Sequence, residues 1–84
     1  MGLPNQPVTL SAEQLQELER KLARMRHDVN GYLSVIVAAN ELILLKPDAA
    51  TRWISMLSEQ PTKIKEAVAH FSADFDKVFG ITRP

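Results

Sequence analysis

AEQLQELERKLARMRHDVNGYLSVIVAANELILLK, residues 12–46, decides the fold. Leu15, Leu18, Leu22, Met25, Val29, Tyr32, Ile36, Ala39 and Ile43 recur in it at alternating spacings of three and four. These are nine consecutive core positions of one heptad frame, which a chain of 45% hydrophobic residues meets by chance about once in a thousand. The stretch predicts one amphipathic helix from Ala12 to Lys46, roughly 50 Å long at about 1.5 Å per residue.

Working outward, Ser11 with Gln14 has the form of a capping box, and Leu10 with Leu15 that of a hydrophobic staple. Residues 1–10, with Pro4 and Pro7, read as an extended leader. Downstream, Pro47 ends the helix, because the residue before a proline is pushed out of the helical region. Asp48 is expected to cap a second helix from Ala49 to Phe79, with core candidates Trp53, Leu57, Ile64, Val68, Phe71, Phe75 and Val78. Gly80 and Ile81 resemble a glycine stop with an apolar clasp, so residues 11–80 form the helical domain and 81–84 a tail. Pro61 removes a backbone hydrogen bond inside the second helix at a cost of about 3 kcal/mol, which predicts a kink near residues 57–60 in a single helix rather than two separate ones.

So short a connection makes the helices antiparallel neighbours, with residue i level with approximately residue 95 − i. Two helices cannot enclose their own seam. Leu33, Val37 and Leu44 add a second apolar row to the first helix, wider than one partner covers. The expected fold is therefore all-α, an antiparallel two-helix hairpin that dimerises into a four-helix bundle, with cover by another protein as the alternative.

At 84 residues the chain holds one domain at most, too small for a Rossmann unit, a barrel or a kinase nucleotide-binding fold. Ten basic and ten acidic residues balance to a net charge of zero, which argues against a nucleic-acid coat protein. With no cysteine there are no disulfides or thiolate metal sites, and the expected location is the cytoplasm. The longest uninterrupted apolar run, Val35 to Ala39, is far shorter than a membrane span, and the first ten residues lack the pattern of a secretion signal. No membrane partner is expected.

Chemistry is suggested by Arg26-His27-Asp28-Val29-Asn30-Gly31-Tyr32-Leu33. With Leu22 and Val29 at heptad position a, His27 falls at f, the outermost place on the helix, and should face water. An exposed imidazole is nucleophilic near neutral pH, and an adjacent carboxylate, here Asp28, can fix its tautomer or accept its proton. Arg24, three residues earlier, is placed to neutralise an incoming phosphate, and Gly31 leaves a vacancy through which another protein can approach. The plain alternative is an ordinary surface histidine.

The run HDVNGYLSVI resembles the H-box of the dimerisation and histidine-phosphotransfer domain of sensor histidine kinases, in the branch whose box reads HD-x-N-N. The resemblance spans roughly residues 12–80, taking in the long first helix, the short turn and the second helix. It implies that His27 is the phosphorylated histidine and Asp28 the neighbouring acid, and Asn30 matches the first asparagine of the box. Gly31 stands where the family commonly has the Thr or Asn used in dephosphorylating a response regulator, so phosphatase activity does not carry over. Tyr32 replaces a frequent proline, and Pro61, nearly level with it on the second helix, is the candidate for the bend.

No ATP-binding domain follows Phe79, so autophosphorylation by this chain alone is not expected. The implied function is phosphoryl transfer between His27 and a receiver-domain aspartate, with a kinase ATP-binding domain in trans as a further partner. The alternatives are a kinase fragment and a non-catalytic dimerisation or adaptor module. No cofactor is expected.

Weaker signals have plainer explanations. Arg20, Lys21, Arg24 and Arg26 form a basic patch that an acidic receiver would welcome, but Glu17 with Lys21 is an ordinary i, i+4 pair and charge runs are usually solvated faces. The patch lacks interleaved aromatics, so nucleic acid is not expected as a partner. His70 lacks metal-ligand spacing with Asp28 or Asp74 and reads as a surface histidine; no metal is expected. Trp53, Phe71, Phe75 and Phe79 read as core anchors.

Overall fold

The computed structural model describes residues 2, 3 and 6–81. Helix α1 runs Ala12–Leu45 and helix α2 runs Ala50–Phe79, joined by one 3-10 turn at Pro47–Ala49. The all-helical hairpin is therefore present, while Pro4 of the leader and residues 82–84 of the tail lie outside the described residues.

Local signals set the helix ends. The Gln14 amide donates to Ser11 Oγ at 3.1 Å and the Ser11 amide to Gln14 Oε1 at 2.8 Å, which completes the capping box. Lys46, before Pro47, leaves the helix at φ −134° and ψ 75°, and its amide still donates to the Leu42 carbonyl at 2.9 Å. Asp48 does not cap α2. The N-cap is Ala49, without a side-chain bond, because Pro47 starts a 3-10 turn that draws Asp48 inside it; the Ala49 amide bonds the Lys46 carbonyl at 3.0 Å instead.

Gly80 ends α2 in the left-handed region at φ 65°. The Gly80 and Ile81 amides both reach the Asp76 carbonyl, the latter at 2.8 Å, so the glycine stop stands as anticipated. Pro61 lies inside α2 without dividing it. One turn earlier, the Ser58 hydroxyl donates to the Ser55 carbonyl and the Gln60 Nε2 to the Met56 carbonyl, each at 3.0 Å.

The seam follows the expected register, since Lys21 Nζ on α1 meets Asp74 Oδ2 on α2 at 3.8 Å. Two assignments to the seam need correction. Leu15 is 53% exposed because its level on the hairpin falls beyond the end of α2, and Val68 is 47% exposed because Ala67 and the buried Gln60 occupy the inward positions on α2. Phe71, Phe75 and Phe79 stack along α2 with centroids 6.2 and 4.6 Å apart.

The molecule measures 58 × 28 × 12 Å, and Ala39 is its one buried hydrophobic residue among those described. Heptad geometry divides the hairpin into unlike faces. Arg24 and Asp28, at c and g, flank the seam on one side, where they border a groove with Lys63, His70 and Asp74 of α2. Leu33, Val37 and Leu44, at e and b, flank it on the other and are 45%, 57% and 71% exposed. There α2 presents Pro61, Ile64 and Val68, which line a shallow apolar depression. Uninterrupted runs understate how apolar α1 is. By length and composition alone it could cross a membrane, because a longer window absorbs isolated polar residues such as Ser34 and Asn40.

Candidate functional site

His27 stands at the crest of α1 with its side chain 88% exposed, as position f requires. Its Nδ1 lies 3.5 Å from Asp28 Oδ1, slightly beyond hydrogen-bond length, and the Asp28 side chain is 43% exposed. Closing that gap requires a rotation of either side chain. The Nδ1–H tautomer would then be held, with the Nε2 lone pair directed at solvent. Gly31, one turn further on, has open space where a Cβ would stand, so nothing shields that side of the imidazole.

The five residues singled out in the sequence do not form one cluster. His27, at f, and Gly31, one turn on at c, are both exposed. Arg24 and Asp28 border the groove between the helices, a space of about 370 Å³ floored by Met25, Tyr32 and Phe71. Asn30 belongs to the opposite flank, beside Leu33 and Val37, and its carbonyl accepts the Ser34 hydroxyl at 2.9 Å. Three residues before and after His27, Arg24 and Asn30 are each turned about 60° from it, to opposite sides of the crest.

The basic patch is partly neutralised. Glu17 pairs with Arg20, not with Lys21 as i, i+4 spacing suggested: Arg20 Nε reaches Glu17 Oε2 at 3.0 Å and Arg20 Nη2 contacts Oε1. That hydrogen-bonded pairing holds the Glu17 carboxyl below its usual range and raises the Arg20 guanidinium. Lys21 is instead drawn across the seam to Asp74. Arg24 and Arg26 remain exposed.

His70 is a surface histidine, as its spacing suggested. Its side chain is 85% exposed, and its Nδ1 lies 3.6 Å from Asp74 Oδ2, the oxygen that also faces Lys21. The i, i+4 spacing of His70 and Asp74 was the available signal. Among the described residues no group of three or more His, Cys, Asp or Glu is placed to hold a metal ion. Comparison with protein-family models, curated proteins and solved structures finds no match.

Proposed function

We propose that this chain is a histidine-phosphotransfer module, working as a homodimeric four-helix bundle and passing a phosphoryl group between His27 and a receiver-domain aspartate. The observation that carries this is the 88% exposed imidazole with a carboxylate beside its Nδ1 and open space one turn away. Neutral Nε2 attacks the phosphorus of an aspartyl phosphate as the bond to the receiver carboxylate breaks. That carboxylate leaves with the bonding pair, and the Nδ1 proton of the resulting phosphoimidazolium is shared with Asp28 and lost to water. The chain supplies position and orientation, and the receiver supplies the charge stabilisation.

The apolar flanks of α1 and α2 support the paired assembly, since both lie on the face opposite the groove. Two-fold packing of that face covers Leu33, Val37 and Val68 and leaves His27 outward. It also accounts for the apolar length of α1 without a membrane, in keeping with a cytoplasmic module. A kinase ATP-binding domain acting in trans is the other source of phosphoryl groups.

The test is incubation of the chain with a panel of phosphorylated receivers and kinase catalytic domains. Transfer predicts an acid-labile, base-stable label that His27→Gln abolishes while helicity and dimerisation persist. A dimer that takes no label from any donor supports the second reading, a non-catalytic adaptor, for which the exposed apolar row is the favouring observation.

A further inference from the structure

We propose that His70 is a second phosphoryl acceptor, set on the groove face of the hairpin to take a phosphoryl group from an acyl-phosphate or phosphoramidate donor. Its biological role rests on the phosphotransfer reading of His27. The two histidines are presented alike: each side chain is more than four-fifths exposed, and each Nδ1 faces a carboxylate oxygen, at 3.5 Å for His27 and 3.6 Å for His70. In both, Nε2 is left as the outward nucleophile.

Their surroundings differ in favour of His70. It borders the groove that holds Arg24 and Lys63, whereas His27 lies outside the groove lining. That lining carries four cationic side chains against the three carboxylates Asp28, Glu66 and Asp74, so a phosphoryl group on His70 meets a groove of net positive charge. Asp74 is itself steadied from across the seam by Lys21, so the carboxylate that orients His70 is tied to both helices. Pairing of two hairpins through the opposite, apolar face leaves this groove open.

In the reaction, His70 Nε2 attacks phosphorus and an N–P bond forms. The P–O bond to a carboxylate, or the P–N bond to ammonia, breaks with its electron pair going to the leaving group. The Nδ1 proton passes by way of Asp74 to water, leaving an N-phosphohistidine whose ring is uncharged and whose phosphoryl group stays anionic. Asp74 is a positioning residue, since it acts through the imidazole.

The experiment treats the full chain with phosphoramidate and follows the phosphorylation of each histidine by tandem mass spectrometry. His27→Gln is expected to retain the label on His70. Asp74→Asn is expected to slow labelling of His70 at least about tenfold with His27 unaffected, and Asp28→Asn to do the converse. Absence of label on His70 in His27→Gln, or an unchanged His70 rate in Asp74→Asn, overturns the proposal. Either failure leaves receiver-dependent transfer to His27 standing, and failure of that transfer alone overturns the phosphotransfer reading instead.

Discussion

At Gly31 the proposed function and the stability of the helix pull apart at the scale of one residue. It sits in the middle of α1 with nothing within 4 Å of where a Cβ would be, so a methyl group there meets no obstacle. Gly31→Ala should stabilise the hairpin by about 0.5–1 kcal/mol, read as a rise in thermal midpoint, because alanine has less backbone entropy to lose. A bulky Gly31→Trp should keep helicity and slow phosphotransfer from a receiver, since it fills the approach to His27. The exposure of His27 was legible because heptad position depends only on local spacing. Asn30 was named for its match to the box alone, and three residues on from His27 it lies beside Leu33. The Lys21–Asp74 pair was hidden for another reason, since i, i+4 logic sees only one helix and the stronger pull came from the other.

At the scale of the helices, both ends of α1 and the end of α2 follow rules that act within a few residues, and all were readable. Gly80 is the sharpest case, because its φ of 65° is a conformation in which other residues pay a steric penalty. Gly80→Ala should cost about 1 kcal/mol in urea denaturation, the Asp76 carbonyl being held by the turn that glycine permits. The start of α2 was less legible. Asp48 competes as a cap with the 3-10 turn that Pro47 favours, and the turn prevails. Pro61 belongs to this scale too, because α2 tolerates it without breaking. Pro61→Ala restores a backbone bond to the Leu57 carbonyl and should raise stability by about 1–3 kcal/mol, measured by thermal unfolding. If Pro61 also supplies the bend expected on α2, the variant should straighten the helix and alter the phosphotransfer rate; unchanged geometry and rate would dispose of that role.

For the whole molecule, the decisive feature is how little one hairpin hides. With Ala39 its one buried hydrophobic residue among those described, the pair of helices has a seam but scarcely an interior. The apolar row of Leu33, Val37 and Leu44 was visible in the sequence as a stripe too wide for one partner. Which face of α2 would join it was not, because Val68 was assigned to the seam and turns out to lie on the outer flank. Replacing Leu33 and Val37 together by Glu should convert a dimer to a monomer in light scattering coupled to gel filtration, with loss of helicity on dilution. Substitutions on the groove face, such as Lys63→Glu, should leave the mass unchanged. The proposed arrangement, with one face for self-association and the crest for a visitor, is what phosphotransfer would require. Phosphorus-31 NMR of the dimer after exposure to a phosphorylated receiver tests that idea most directly. The expected result is an N–P resonance assigned to Nε2 of His27 that is absent from His27→Gln; a stable dimer with no such resonance, for any receiver that itself loses its phosphoryl group only to water, contradicts it.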